Sequence, residues 1–454
     1  MTPGRLELTR IPFVKRLLVS RWPQWSLVAL ALGFFVLAIL SGLFGTPAGS
    51  RNFGIVFIWI VWWALLILLL VPFAGRAWCA ICPIPAPGEW LQRRALVRPR
   101  PGGKLYTLGL KWPRRFRNIW LQNASFLLVA LFSAVILTIP AVSALVLAGF
   151  AIVALATGLL YERRTFCRYL CPVGGFIGLY SQVAPLEIRV RDPAVCVAHK
   201  EKTCYNGSDA GYGCPWSVFP GSLAKNTYCG MCTECLKTCP KDNIALYARP
   251  FGQDLRTNKG RKLDEAYKGL IMLTCAFAYS AVLIGPWSIL KESAYAVGSF
   301  GWALYALLFL AANLVVVPGL FYACTALVKR IGRVRLPTRK LFVEYAYVAV
   351  PLGLAAWAAF SLSFVLVNFS YAWQVLSDPF GWGWNLFGTA GWTWTPYFAG
   401  AVPFLQIPIL LVGLFAAIGV ALRTAAQQGA TARAALPVVA FCLTFILGLL
   451  WLYV

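Results

Sequence analysis

The cysteines near the middle of the chain have a spacing that suits inorganic clusters. Cys229, Cys232 and Cys235 stand at intervals of three residues, and Cys239 follows shortly before the chain turns at Pro240. Three thiolates at this spacing can bind one cubane, while the fourth reaches a neighbouring cluster. Zinc sites rarely use four cysteines in this pattern. The run therefore predicts [4Fe-4S] clusters and one-electron chemistry.

A second, stretched run precedes the first and consists of Cys196, Cys204 and Cys214, the last of them before a proline. In a crossed two-cluster arrangement, the last cysteine of one run completes the cluster of the other run. We therefore expect Cys214 to complete the first cluster. Its four ligands are then Cys214, Cys229, Cys232 and Cys235.

The partner cluster has one cysteine too few, because only Cys196, Cys204 and Cys239 remain for it. His199, the only histidine in the chain, stands three residues after Cys196, where a second cysteine is expected. Two alternatives stay open. One is a cluster with three cysteines and one histidine, whose imidazole raises the reduction potential, and the other is a three-iron cluster beside a solvated loop histidine.

Four more cysteines form two pairs that resemble each other. Each pair stands three residues after an arginine and directly before a proline, and the pairs are Cys79 with Cys82 and Cys167 with Cys171. Such thiols could hold a further cluster, a copper or zinc ion, or a redox-active disulfide pair, or they could simply pack at the membrane edge. Their repetition favours a shared metal or cluster site.

The composition indicates which elements position these residues. Of the 454 residues, 60% are hydrophobic and only 12% are charged, which is too apolar for ordinary soluble domains. The net charge of +26 comes from basic residues that flank long apolar stretches. Membrane topology explains this charge better than a nucleic-acid partner does. Because only one histidine is present, the chain alone cannot build a bis-histidine haem site.

Nine apolar stretches are long enough to cross about 30 Å of hydrocarbon. They cover about 24–45, 53–73, 119–138, 141–160, 269–290, 299–328, 341–367, 399–421 and 434–454. The excess of Lys and Arg places the N-terminus inside, the C-terminus outside and every motif cysteine on the cytoplasmic side of an inner membrane.

The motif pairs follow the second and the fourth stretch, so the first four helices read as two copies of one hairpin. A pseudo-twofold arrangement would bring the two cysteine pairs together. The expected fold is an all-α polytopic membrane protein with a cytoplasmic ferredoxin-like insertion. Its regions are a four-helix membrane region at 1–160, a cluster domain at 161–268 and a five-helix membrane region at 269–454.

These motifs resemble the polyferredoxin-type membrane proteins, which include the membrane quinol dehydrogenase subunit of periplasmic nitrate reduction, NosR-type proteins and the cupric reductase of cytochrome oxidase assembly. The resemblance covers about residues 20–268 and not the last five helices. Two residues separate the first cysteine pair, where the family commonly has three, and one of the two ferredoxin runs is degenerate. The resemblance implies that the cysteines of the runs are cluster ligands and that the pairs are the family's membrane-edge cysteines.

We expect the protein to pass single electrons between the quinone pool or a cytoplasmic donor and a respiratory redox partner. Since the spans contain no histidine for a haem, a quinone or a haem-bearing partner subunit is implied. The alternative is a copper-reducing assembly factor for a respiratory metalloenzyme, and a transporter or scaffold with structural zinc is disfavoured by the full cysteine run.

Overall fold

The computed structural model describes residues 4–100 and 105–453 and is predominantly helical. Within these residues, eight helices are long and apolar enough to cross a membrane, so the expectation of an all-α polytopic membrane protein is confirmed. They are Trp22–Phe44, Phe53–Ala74, Pro140–Leu160, Leu263–Leu283, Phe300–Ile331, Thr338–Asn368, Ala399–Gln427 and Ala432–Tyr453.

The expected count of nine span-length helices is wrong for the described residues, and the difference lies in the third stretch. There the chain forms a helix at Trp120–Leu131 and a separate turn of helix at Ser133–Ile136. Between them the backbone of Phe132 leaves the helical region, with φ of −94° and ψ of 11°. The 12-residue helix is about 18 Å long at 1.5 Å per residue, which is short of the hydrocarbon thickness.

We number the helices in chain order. They are α1 Pro12–Val19, α2 Trp22–Phe44, α3 Phe53–Ala74, α4 Ala77–Ile81, α5 Ala86–Arg93, α6 Trp120–Leu131, α7 Ser133–Ile136, α8 Pro140–Leu160, α9 Thr165–Tyr169, α10 Pro172–Tyr180, α11 Pro193–Ala198, α12 Thr203–Asn206, α13 Glu234–Thr238, α14 Leu263–Leu283, α15 Ser288–Tyr295, α16 Phe300–Ile331, α17 Thr338–Asn368, α18 Tyr371–Ser377, α19 Ala399–Gln427 and α20 Ala432–Tyr453.

The chain divides into two compact units. Unit 1 consists of Met1–Ile39, Leu69–Gln122 and Leu145–Asp254, and it contains all eleven motif cysteines. Unit 2 consists of Leu40–Leu68, Asn123–Ala144 and Leu255–Val454. The expected division into a membrane region at 1–160, a cluster domain at 161–268 and a membrane region at 269–454 stays a prediction.

A three-stranded antiparallel sheet organises the loop part of unit 1. Its strands are β1 Leu6–Glu7, β2 Leu186–Val190 and β3 Ile244–Ala248, in the order β1, β3, β2. The pairing of β2 with β3 closes the segment 191–243, which carries both cysteine runs. The strand β1 adds the N-terminal segment to the same sheet.

Unit 2 is built on close packing of α17 against α19. A Cβ added at Gly413 would lie 2.3 Å from the Cβ of Ala355, so the glycine allows these two helices to approach closely. The buried Trp357 donates its indole N–H to the carbonyl of Met272 at 2.9 Å, which ties α17 to α14. Aromatic contacts to Trp63 and Tyr279 surround the same indole ring.

Candidate functional site

The four paired cysteines, Cys79, Cys82, Cys167 and Cys171, lie at equivalent places in the two repeats, and we call them the edge quartet. Cys79 lies in α4 and Cys167 in α9, two short helices that follow the membrane helices α3 and α8. Cys171 caps the N-terminus of α10, where its sulfur accepts the N–H of Gly174 at 3.2 Å. Prolines after the second cysteine of each pair favour a new helix start at this point.

The edge quartet is gathered at one buried place. Burial raises the pKa of Cys82, and the neighbouring thiols of Cys171 and Cys79 raise it further. Burial likewise raises the pKa of Cys167, with Cys171, Cys82 and Cys79 as further causes. The pKa of Cys171 rises to about 11, from burial and from Cys79. The two repeats therefore bring their cysteine pairs together, as the pseudo-twofold arrangement predicts.

Cys214, Cys229, Cys232 and Cys235, the loop quartet, form a second group. Burial raises the pKa of Cys235, and the thiols of Cys232, Cys229 and Cys214 add to this effect. Burial and Cys214 raise the pKa of Cys232 to about 12. Cys214 thus lies beside the three closely spaced cysteines that it is expected to join. All four line one cavity, whose other lining residues are Ile188, Trp216, Val218, Pro220, Leu223, Tyr228, Gly230, Met231 and Thr233.

The loop-quartet cavity fits an anionic iron–sulfur cluster. The indole N–H of Trp216 is buried at this cavity and has no hydrogen-bond partner among the described residues, so it could donate to a cluster sulfur. A Cβ at Gly230 would lie 1.8 Å from the indole nitrogen of Trp216, so only glycine permits this approach. The donor set of four thiols in an otherwise apolar wall is that of a [4Fe-4S] site.

Backbone N–H groups two positions further along the chain lower the pKa values of five of the thiols. The pairs are Ile84 to Cys82, Val173 to Cys171, Trp216 to Cys214, Met231 to Cys229, and Glu234 to Cys232. Each of these groups acts against the effect of burial, because a nearby N–H favours the thiolate form. Both quartets thus have N–H groups that favour negative charge on sulfur.

Five arginines surround the loop quartet, and their charges lower the pKa values of its thiols. Arg163 and Arg168 act on Cys214, Arg189 and Arg76 on Cys229, and Arg164 on Cys232, in each case against the larger effect of burial. Several of these arginines are fixed by backbone carbonyls. Arg163 donates to the carbonyl of Cys214 at 2.8 Å, and Arg168 donates to the carbonyl of Trp216 at 2.6 Å.

A third group, which we call the outer triad, lies beside the loop quartet and consists of Cys196, Cys204 and Cys239. Burial raises the pKa of Cys204 to about 11, with further contributions from Cys239, Cys196 and Cys214. Cys235 and Cys204 also belong to one apolar core with Ile188, Ile244 and Leu246. The cysteines of the second run are therefore divided between two groups in the way that crossed ligation predicts.

The expected histidine ligand lies next to the outer triad in sequence, directly after α11. Its ring nitrogen Nε2 is 3.9 Å from a carboxylate oxygen of Glu201, while Cys196 accepts a hydrogen bond from Asn243 at 3.2 Å. The ligand role of His199 stays a prediction.

In the part of the chain that is described, no group of three or more His, Cys, Asp or Glu side chains is close enough to hold a single metal ion. A cubane places iron and sulfide between its cysteine ligands, so these ligands stand farther apart than those of one ion.

Several residues of the site were not identified from sequence. Arg164 donates two hydrogen bonds to the carboxylate of Glu89, at 2.7 and 2.8 Å, and both side chains are buried. Arg21 forms a similar fork with the buried Glu234, at 2.6 and 3.1 Å, and so holds the N-terminal segment against the cluster loop. The one sequence signal for Arg164 is its repetition three residues before each cysteine pair.

Comparison with known proteins shows what the two segments that carry the edge quartet are similar to. The model of a 4Fe-4S binding domain matches the chain twice, at residues 55–104 and 142–190. Each match contains one cysteine pair, so the internal repeat is confirmed and both copies are similar to a domain that binds [4Fe-4S] clusters.

One curated relative is the "Putative electron transport protein YccM" of Escherichia coli (strain K12), which is 24% identical. The alignment covers 39% of this chain and 54% of the relative, so the chain matches about half of the relative's length. No solved structure matches the chain. The resemblance to 4Fe-4S membrane proteins of electron transfer is thereby confirmed.

Proposed function

We propose that this protein carries single electrons along a relay of three iron–sulfur sites, formed by the edge quartet, the loop quartet and the outer triad. When bound, a [4Fe-4S] cluster supplies a reversible one-electron step. The observation that supports the relay is the order of the three thiol groups. Arg76 and Arg164 each lie beside one thiol of the edge quartet and one of the loop quartet, while Cys204 lies beside Cys235.

The protein's own contribution is to exclude water and to balance charge. Cys167, Cys171, Cys232 and Cys235 are each less than 10% exposed, so the thiolates act in a low-dielectric setting. There, backbone N–H donors and the nearby arginines replace the stabilisation that water would give to negative sulfur. This arrangement suits repeated charging and discharging with little structural change.

The edge quartet is proposed to hold a cluster and not a copper ion. The two matches to a 4Fe-4S binding domain favour this choice, since they cover both cysteine pairs. For the outer triad, His199 is the proposed fourth ligand, with a three-iron cluster as the alternative.

The membrane-side electron donor is proposed to be a quinol. A cavity beside both quartets is lined by Trp25, Ala80, Glu89, Arg93 and Cys232. The indole N–H of Trp25 is buried there and has no hydrogen-bond partner among the described residues. A quinone carbonyl is a suitable acceptor for such a donor. Trp25, Val28 and Trp90 in the lining are side chains that a lipophilic ring can contact.

The electron acceptor is proposed to be a respiratory redox partner, such as a haem-bearing subunit, that approaches the outer triad. Val197, the residue next to Cys196, is 83% exposed, so α11 brings a cysteine of this triad close to the protein surface. We further propose that the cluster-bearing side faces the cytoplasm at the inner membrane, with the N-terminus inside and the C-terminus outside.

Iron and acid-labile sulfide analysis of anaerobically purified protein tests the proposal, together with EPR spectra of the reduced protein. We expect about eleven to twelve iron atoms per chain, which corresponds to three clusters with the third either three-iron or four-iron. Zinc or copper without labile sulfide would contradict the electron-transfer function. Stoichiometric copper bound to the edge quartet would favour the metal-handling alternative.

The quinol site has a separate test. Trp25→Phe removes the indole donor, and we expect it to raise the quinol concentration for half-maximal cluster reduction by about fivefold. The matched control is Trp22→Phe, because Trp22 begins the same helix but is 59% exposed. Equal behaviour of the two variants would exclude this cavity as the quinol site.

A further inference from the structure

The two copies of the hairpin motif differ at one position that faces an arginine. In the first copy Arg76 precedes Cys79 by three residues, and in the second copy Arg164 precedes Cys167 by three. Seven residues after the second cysteine of each pair, the first copy has Glu89 and the second copy has Gly178.

The arginine of each copy contacts this position in the other copy. Arg164 forms a two-bonded fork with Glu89, at 2.7 and 2.8 Å. On the opposite side, a Cβ added at Gly178 would lie only 2.6 Å from the Nη1 atom of Arg76. Each arginine therefore contacts the equivalent position of the other copy. Arg164 finds a carboxylate there, whereas Arg76 finds a glycine. Its missing side chain provides the space that the guanidinium occupies.

Arg76 is consequently a buried cation without an acidic partner among the described residues. Arg76 is 4% exposed, and its guanidinium carbon lies 4.1 Å from the centre of the Trp216 ring. Nη1 donates to the carbonyl of Thr227, whereas Nε and Nη2 have no hydrogen-bond partner in the described part of the chain. An isolated charge in such a place is costly unless a negative group compensates it.

Negative groups are available on both sides of this guanidinium. The guanidinium lies near the thiols of Cys171 and Cys229, because its Nη1 atom donates to the carbonyl of Thr227, two residues before Cys229, and contacts Gly178 in α10, the helix that Cys171 caps. One belongs to the edge quartet and the other to the loop quartet. Arg164 has an equivalent location beside Cys167 and Cys232, but it is paired with Glu89, a carboxylate that Arg93 also contacts at 3.3 Å.

We propose that Arg76 is the uncompensated cation shared by the edge quartet and the loop quartet, and that it raises the reduction potentials of the clusters which these cysteines hold. One-electron reduction adds one negative charge at a buried site. A fixed positive charge in a low-dielectric environment stabilises the reduced form more than the oxidised form. Arg76 thus acts as a tuning residue and not as a ligand, and its role rests on the proposed function.

Redox titration of the purified protein, followed by EPR, tests this role in Arg76→Gln. We expect the reduction equilibrium of at least one of the two quartet clusters to shift toward the oxidised form by about tenfold or more, which is about 59 mV for a one-electron couple. Arg76→Lys keeps the charge and should give a clearly smaller shift. The control is Arg261→Gln, which removes a half-buried arginine charge in unit 2, the unit without motif cysteines, and should shift the equilibrium by less than about threefold.

Gly178→Ala provides a test that keeps every charge. The added Cβ must displace the guanidinium of Arg76, so we expect a shift in the same direction as in Arg76→Gln. If Arg76→Gln assembles no clusters, the comparison of Gly178→Ala and Arg76→Lys with the unaltered protein decides the question.

Iron and sulfide content separates the two possible failures. An unaltered protein without clusters would overturn the proposed function as a whole. Full cluster content with unchanged midpoint potentials in every assembled Arg76 and Gly178 variant would overturn only the role of Arg76.

Discussion

The edge quartet and the cysteines of the loop are positioned by different means. The edge thiols lie in or beside short helices that continue directly from membrane helices, and the fork between Arg164 and Glu89 ties the two copies together. The loop quartet and the outer triad lie in the segment 191–243, where the described helices have at most six residues. Cys204 and Cys235 are themselves part of the apolar core of this segment.

This difference indicates how much each region depends on its clusters for folding. The edge quartet is positioned by membrane helices whose backbone hydrogen bonds must form in any case. The loop has few apolar residues of its own, so we expect much of its folding free energy to come from the clusters proposed for it. We expect perturbations to separate the two regions accordingly.

The edge quartet and the loop can exchange electrons only if both face the same compartment. A topology reporter tests this with a yes-or-no result. A reporter that is active only in the cytoplasm should be active when fused after Leu108 or after Gly260, because basic residues dominate the segments around both positions. It should be silent at the C-terminus. Activity at the C-terminus would mean that α6 and α7 together do not cross the bilayer.

Removal of iron should have the next largest effect. Anaerobic treatment with a chelator should increase proteolytic cleavage within 191–243 by more than about tenfold, because the loop loses its cluster-dependent core. Cleavage between the membrane helices of unit 2 provides the internal control and should stay unchanged. Equal protection of the loop with and without iron would remove the distinction between the regions.

Single ligand substitutions should sharpen the contrast. Cys232→Ser should remove about four iron atoms and also open the loop to protease, since a cubane needs its thiolates. Cys167→Ser should remove a similar amount of iron without opening the edge region. Cys324→Ser, at an isolated cysteine within α16, is the control and should change neither quantity. Protease sensitivity in Cys167→Ser would show that the edge region also depends on its cluster.

The fork between Glu89 and Arg164 should matter more than the exposed ion pairs of the loop. Glu89→Gln leaves a buried guanidinium unpaired, and we expect a loss of about 3–5 kcal/mol in the free energy of unfolding. The pair of Lys15 and Asp242 is largely exposed, so Asp242→Asn should cost about 1 kcal/mol or less. Chemical denaturation of both variants measures the difference, and similar losses would contradict it.

The smallest expected effect concerns His199 in the outer triad. His199→Cys should keep the cluster and lower its reduction potential, because thiolate stabilises oxidised iron better than neutral imidazole does. His199→Ala should lose an iron atom or the whole cluster. If His199→Ala leaves every cluster signal unchanged in intensity and midpoint, the histidine is a loop residue and the outer triad holds a three-iron cluster.

Sequence alone predicted iron–sulfur chemistry and much of the arrangement of the cysteines. Cysteine spacing assigned Cys214 to the group of Cys229, Cys232 and Cys235, because ligand geometry around a cubane restricts the intervals between thiolates. Nine stretches were expected to be spans from their apolar length, and eight of them form helices of span length among the described residues. The bilayer sets a minimum length for each such helix. The repeated arginine and cysteine–proline motif predicted that the two pairs would meet.

Only the tertiary structure decided which groups compensate charge around the thiols. The fork joins Arg164 with Glu89, and a close contact joins Arg76 with Gly178, in both cases between residues that are far apart in sequence. The absence of a hydrogen-bond partner for the indole of Trp216 among the described residues is likewise visible only in the tertiary structure. Their local sequence signals are weak because long-range electrostatic complementarity depends on how the two repeats pack. The break in the helix at Phe132 was also decided only by the tertiary structure, because the stretch around it is as apolar as an uninterrupted span.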